Sequence, residues 1–434
     1  MLYPRFLEFS LQNGLFVRGE TVLLAVSGGP DSICMADLFH RAAAEWDLRL
    51  TLAYVHHHLR PEADDEEMFV RSLAEAWGLP FHALSVHPQR TDSLEAQARQ
   101  ARLSALETLA RREGCSKAAL GHNRDDQAET VLMRLLKGTS LRGLAGIKPM
   151  REGFWIHPLL PFARDEIIAY LKSRGIEWME DASNHDPRFL RSRFRHQILP
   201  LLRREVNPAA DEAIVRTARL LLQDETYMTD QARAALERLS MRTIPFLSLS
   251  RPGFCDLHPA LQQRVIASLF QNAGFRWETR HVDQLLKYAH KAFNGRIQAF
   301  GKDLTSVLTC DTIYLCPHGP LRQKVSFSLP GEVDIPEAGM RLTARWREGV
   351  PEDHEFSLGS HPPESVTVQS ASSLGKGAAR AMKRLGIPSG LRAFLPILAA
   401  EDGILWVPGY SAPTGPGHNP AGTNMIVRWN HDVR

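Results

Sequence analysis

This sequence of 434 residues predicts an α/β chain built on a parallel sheet, followed by a mostly α stretch and a small α+β region. Three observations carry that reading. From Thr21 to Gly121 short apolar runs alternate with helical patterns, the first run leads into a glycine-rich turn that opens a helix, and turn-rich short runs appear only late in the chain. Strands separated by helices demand parallel pairing with right-handed crossovers.

TVLLAV (21–26) is the first strand, with a helix over 33–45; RLTLAYV (49–55) is the second, with a helix over 62–77. PFHALSV (80–86) is the third, with a helix over 94–113, and KAALG (117–121) is the fourth. Ligands of such sheets bind beyond the carboxyl ends of the strands, so chemistry is expected in the turns at 27–32, 56–60 and 121–130. Asn207-Pro208 predicts an N-cap followed by the first helical residue, with the helix running to about Leu239. Helical patterns at 258–274 and 278–290 make 208–292 mostly α; alternating runs follow at 295–300 and 304–316, and short strands with tight turns at 327–346. Boundaries near 207 and 322 give three domains, 1–207, 208–321 and 322–434, within the two to four that the length suggests.

Composition excludes several classes. Hydrophobic residues at 44% and charged residues at 23% describe an ordinary globular chain. Five cysteines with no CxxC pair argue against a structural zinc or a disulfide framework. No secretory signal and no apolar run long enough to span a bilayer is visible, which predicts a soluble protein of the cytoplasm. The net charge of +3 names no partner, so the distribution of charge has to be examined.

Ser27, Gly28, Gly29, Pro30, Asp31 and Ser32 follow the first strand and open a helix. Glycines admit a ligand close to the backbone, and a helix N-terminus offers free N–H groups and a positive dipole end, a combination suited to phosphate. The plainer reading is a Gly-Pro turn capped by Asp31 or Ser32. A carboxylate at Asp31 facing a polyanion implies an intervening divalent cation, Mg²⁺. SGGPDS resembles the SGGxDS loop of the PP-loop ATP pyrophosphatases, which implies a Rossmann-like fold that cleaves ATP to AMP and pyrophosphate.

His56-His57-His58-Leu59-Arg60 ends the second strand; alternation along a strand prevents three histidines from facing one metal, so a polar wall beside the nucleotide is expected. Glu95, Arg99 and Arg102 share one helical stripe, as an ion-paired surface would also place them. GHNRDDQAET (121–130) passes from the fourth strand into a helix, so His122, Asp126 and Glu129 can share a face at the ligand edge. Acids there suit a cation or a substrate amine, and they also complement the helix dipole.

SGGPDS, HHHLR, EAQAR, GHNRDDQAET, KGTSLRGLAGI (137–147), HPLL (157–160) and DASNHDPRFLRSRFRHQILP (181–200) resemble, in order, the motif series of the tRNA(Ile)-lysidine synthetase family. The resemblance covers roughly residues 20–205, and the length resembles the long form with two C-terminal accessory domains. It implies ATP-dependent attachment of free L-lysine to the wobble cytidine of tRNA(Ile) bearing a CAU anticodon, through an adenylated intermediate. Carried over by position, it implies that Ser27 to Ser32 surround ATP, that Asp31 lies near Mg²⁺, that Arg99 and Arg102 lie near ATP, and that His122, Asp126 and Glu129 form the catalytic and lysine-binding cluster. The chain departs from the commoner pattern at His56 and at Asn123-Arg124.

Residues 187–204 hold six arginines and no acid, and Arg188, Arg191 and Arg195 are expected to meet tRNA. A second acid-free stretch, 365–400, offers Lys383, Arg384 and Arg392 for the same ligand, whereas the acidic 62–67 is expected to face water. A homodimer is left open. Competing readings are a PP-loop tRNA thiolase, which would usually carry paired cysteines, a small-molecule adenylating amide synthetase, and a non-catalytic tRNA-binding protein.

Overall fold

The computed structural model describes residues 2–56, 63–86, 94–179, 190–243, 246–291, 295–301, 304–316, 321, 323–335, 340–351, 355–370, 376–400, 403–407, 410 and 423–430. The chain divides into two compact units, Met1–Thr226 and Tyr227–Arg434, with the division inside a 30-residue helix, Ala210–Leu239.

The first unit is the expected α/β region. In chain order it runs α1 (Leu2–Gln12), β1 (Thr21–Ala25), α2 (Pro30–Trp46), β2 (Arg49–His56), α3 (Ala63–Trp77), β3 (Phe81–Ser85), α4 (Leu94–Arg112), β4 (Lys117–Ala119), α5 (Arg124–Lys137), α6 (Leu141–Leu144), β5 (Met150–Arg151), β6 (Trp155–Ile156) and α7 (Arg164–Arg174). A short α8 (Leu190–Arg193), a π-helical turn at Phe194–Ile198 and α9 (Leu199–Glu205) follow. The sheet order is β3-β2-β1-β4-β6-β5, parallel except for β5. The order reverses direction between β1 and β4, so the turns after these two strands diverge and leave a crevice, the usual ligand position in an open α/β sheet.

Period-two alternation sorts the core onto the two faces of the sheet. Val22, Leu24, Leu50 and Leu52 face α2 and α7 with Ile33, Phe39 and Leu171, whereas Leu23 and Ala53 face α4 with Leu106 and Ala110. Phe6, Phe16 and Phe39 pack together beneath the first face, with ring centroids 5.3 to 6.2 Å apart, and all three are buried.

Two local expectations change. Asn207 Oδ1 accepts from the Ala209 N–H at 2.9 Å, but the helix starts at Ala210, so Asn207 and Pro208 lie in the preceding turn rather than at the N-cap and first helical position. In the acidic run, Asp64 and Asp65 are exposed as expected, yet Glu66 is buried, because one helical turn brings it back against β2 where its Oε2 accepts from the Tyr54 hydroxyl at 2.9 Å.

The second unit contains a five-stranded antiparallel sheet ordered 240–243, 246–250, 312–316, 304–308, 296–300, with helices Pro259–Asn272 and Thr279–Ala289. The strands at 296–316 match the alternating runs; those at 240–250 were not anticipated. Two four-stranded sheets follow, and Lys376–Arg384 forms a helix. Among the described residues no helix is long and apolar enough to cross a membrane.

Phe39 is fully buried against Phe6 and Phe16. Phe39→Ala is therefore expected to cost about 3–5 kcal/mol, read as a lower urea midpoint for the first unit; an unchanged midpoint would contradict this placement of the core.

Candidate active site

The nucleotide-loop motif lies between β1 and α2. Gly28 has φ +82°, a conformation that disfavours a side chain, and its carbonyl accepts from the Met179 N–H at 2.9 Å. Ser32 Oγ closes the loop from inside, donating to the Gly29 carbonyl at 2.9 Å and accepting from the Ser27 N–H at 3.1 Å. Gly29 is the N-cap of α2 and gives no side-chain cap, and Pro30 follows at the first helical position. Gly121 is needed for close approach: a Cβ there would lie 3.1 Å from the Ser32 nitrogen, so the β4–α5 turn is packed directly on the start of α2.

That packing brings two helix starts together. Asn123 and Asp126 form a reciprocal capping box on α5, each side chain accepting from the other's backbone N–H at 3.0 Å. Asn123 Nδ2 also donates to Asp31 Oδ1 at 2.9 Å, and Arg164 Nη1 donates to Asp31 Oδ2 at 3.1 Å. Burial, then repulsion from Asp126, pushes the Asp31 carboxyl up to about 6 against the pull of Arg164 and Asn123. A buried carboxylate repelled by a second one fits a divalent cation, which would relieve the repulsion. Among the described residues no group of three or more Asp, Glu, His or Cys could hold an ion unaided, so water or phosphate oxygens would complete its shell.

Glu129 lies one turn beyond Asp126 and is fully buried. Arg191 donates from Nε to Glu129 Oε2 at 2.7 Å and from Nη2 to Asp126 Oδ1 at 2.8 Å. Arg195 repeats the fork, with Nε to Glu129 Oε1 at 2.6 Å and Nη2 to Asp126 Oδ1 at 2.9 Å. Burial opposes ionisation of Asp126, yet Arg191, His122 and Arg195 hold its carboxyl below the usual carboxylate range. The arginines expected to form an open stripe for RNA thus grip the acids expected to bind lysine.

His122 is adjacent to this cluster, its ring 4.9 Å from that of His157. Burial pushes His122 down to about 3, with Asp126 opposing, and pushes His157 down to about 4. His157 Nδ1 lies 2.8 Å from the Lys148 carbonyl and so carries its proton there. Arg102 reaches the cavity with its Nε buried and, among the described residues, without a hydrogen-bond partner; burial, then Arg99 and Arg191, lowers its guanidinium to about 10. Arg99 is lowered by burial first, then by Arg191 and Arg151.

A cavity of about 680 Å³ joins these parts, lined by the 27–32 loop, His122, Asp126, Arg102 and Arg195, with Tyr54 and Glu66 on its wall. Sequence reasoning missed Asn123, Arg164 and Glu66. It also missed Gln127 and Arg134, which fasten the 137–147 loop to α5 through the backbone of Ile147 and the carbonyls of Gly143 and Gly146. His56 does not form the expected wall; it is buried with Nε2 2.9 Å from Asp64 Oδ1 and does not line the cavity. His57, His58, Arg60 and Arg188 lie outside the described residues, as does the side chain of Glu95. In the second unit Lys383 and Arg384 are exposed, whereas Arg392 is half-buried and donates to the Ile387 carbonyl at 3.3 Å.

A profile described as the PP-loop domain matches residues 5–202. The tRNA(Ile)-lysidine synthase of Symbiobacterium thermophilum is 31% identical over 94% of this chain and 93% of its own. The chain belongs to the tRNA(Ile)-lysidine synthase family. The family's members from Thermus thermophilus, 32% identical over 89% of this chain and 78% of theirs, and from Dehalococcoides mccartyi, 29% identical over 94% and 95%, resemble it along most of their lengths. With its PP-loop domain, this member of the lysidine synthase family is an ATP-using enzyme.

The buried histidines predict acid sensitivity. The unfolded chain protonates them near pH 6.5, while the folded chain takes no proton on His157 until about pH 4. Between those values the unfolded state binds more protons, so stability falls as pH falls, by up to about 1.4 kcal/mol per pH unit for each histidine. His157→Gln should flatten the dependence of the unfolding midpoint between pH 6.5 and 4.5 by about one proton; an unaltered slope would contradict the burial.

Proposed function

We propose that the chain joins L-lysine to C2 of the wobble cytidine of tRNA(Ile) with a CAU anticodon, releasing AMP and pyrophosphate and changing codon recognition from AUG to AUA. It is on this reading a cytoplasmic ligase forming a carbon–nitrogen bond. The observation that supports it is that the anion cradle at 27–32 and Asp126 line one cavity, with Glu129 buried behind Asp126 and joined to it through Arg191 and Arg195.

The loop backbone and the start of α2 hold the ATP phosphates, and Arg102, with an Nε unpartnered among the described residues, faces the same cavity. Asp31 would hold Mg²⁺, which when bound neutralises charge on the phosphates. The cytosine O2 attacks the α-phosphorus and pyrophosphate leaves. Asp126 and Glu129 hold the lysine ammonium, and the surrounding Arg99, Arg102 and Arg191 disfavour a cationic amine, which helps it release its proton to water, while the neutral His122 ring can accept a hydrogen bond from the amine. The neutral amine then attacks C2, the C2–O bond breaks, and AMP departs with the former O2. Residues 208–321 and 322–434 are assigned to positioning the tRNA.

Pyrophosphate release that needs both lysine and a wobble-cytidine transcript, and fails with wobble uridine, is the expected result; release independent of RNA would overturn the reading. Asp126→Asn and Glu129→Gln should each raise the lysine KM about ten-fold or more while adenylate formation changes far less. Lys383→Gln with Arg384→Gln should weaken tRNA binding and reduce the slope of log affinity against log salt by about 1.5; an unchanged slope would remove that helix from the RNA contact.

A further inference from the structure

The double fork from Arg191 and Arg195 meets every oxygen that the amine would need. Asp126 Oδ1 receives two N–H groups, Asp126 Oδ2 receives the Asn123 N–H, and each Glu129 oxygen receives one guanidinium Nε. Two cations already balance two anions. Around them stand the guanidinium groups of Arg99, Arg102 and Arg164 and the carboxylates of Asp31 and Glu66. An ammonium entering this cleft would find every oxygen of Asp126 and Glu129 already accepting a hydrogen bond, three of the four from an arginine.

Phosphate changes that balance. A guanidinium fork fits phosphate oxygens as well as carboxylate oxygens, so an arginine can exchange one for the other without losing its paired hydrogen bonds. Arg191 and Arg195 are placed for such an exchange: their side chains are 30% and 25% exposed, Arg195 lines the cavity, and both stand on an arginine-rich run whose Arg193 is exposed. The run contains a π-helical turn at Phe194–Ile198, a form met often at functional sites.

We propose that Arg191 and Arg195 are positioning residues that keep Asp126 and Glu129 from the lysine ammonium until a substrate phosphate, of the RNA backbone or of the nucleotide, draws a guanidinium away. The carboxylates then hold the amine, so lysine binds after a phosphate-bearing substrate. Linkage makes the coupling reciprocal: bound lysine tightens the phosphate ligand by the same factor. This proposal rests on the lysine-ligation reading above.

The test is calorimetric titration of L-lysine into the full-length enzyme alone, with a wobble-cytidine anticodon stem-loop, with α,β-methylene-ATP and Mg²⁺, and with both. Lysine affinity is expected to rise about ten-fold or more in at least one phosphate arm, and the arm that responds identifies the source. Arg191→Gln with Arg195→Gln should bind lysine without either ligand and lose the coupling, and Arg195→Lys, which keeps the charge but not the fork, should retain only part of it. Equal lysine affinity in all four wild-type arms overturns the proposal, as does failure of a folded double variant to bind lysine. If the double variant does not fold, the wild-type arms decide alone. Pyrophosphate release that needs lysine and RNA, together with phosphate-independent lysine affinity, would sink this gate and leave the ligation reading standing; absence of that release would sink the ligation reading itself.

Discussion

Two acids at the starts of adjacent helices, Asp31 on α2 and Asp126 on α5, set the terms for the rest of the site. Burial and then their repulsion raise the Asp31 carboxyl, and their closeness follows from backbone packing at Gly121 that a Cβ would crowd. The neighbouring polar groups answer to that repulsion. Asn123 bridges the two acids, Arg164 steadies Asp31 from α7, and Arg191 and Arg195 reach in from the far end of the unit to neutralise Asp126 together with Glu129. A catalytic unit for a polyanionic nucleotide and a cationic amine needs both signs of charge at short range, and helix starts at a sheet switch point supply the scaffold for both.

The parallel sheet, the nucleotide loop and the helix bearing Asp126 and Glu129 were legible because each is written locally. A strand of period two, a Gly-Gly-Pro turn and an acidic helix start are patterns of near neighbours. Arg191 and Arg195 were visible as arginines but not as partners, since their acids stand 62 to 69 residues away and an acid-free run looks the same whether it faces solvent or a buried carboxylate. Glu66 departs from the expectation for a related reason: composition gives the average of an acidic turn, whereas burial is decided by which of its residues points at β2. His56 likewise ends the right strand at the right edge but turns to Asp64. The strands at 240–250 follow directly on a 30-residue helix, and no breaker of the usual kind separates them.

The neutral histidines belong to the same electrostatic arrangement. His122 and His157 sit where arginines crowd and water is scarce, so both conditions favour the uncharged ring. Asp126 opposes this for His122, and the outcome is a pair of rings that stay uncharged beside the arginines.

The nucleotide loop shows how much of this arrangement exists before any ligand arrives. The Gly28 carbonyl is held by the Met179 N–H, the Ser32 hydroxyl ties the turn to itself, and Gly29 at the N-cap of α2 supplies no side-chain cap. Fixing a loop costs about 1–2 kcal/mol of conformational entropy per residue, and here that cost falls on folding rather than on association. The cradle is preorganised, so the binding energy of a triphosphate is not consumed in ordering the residues that receive it.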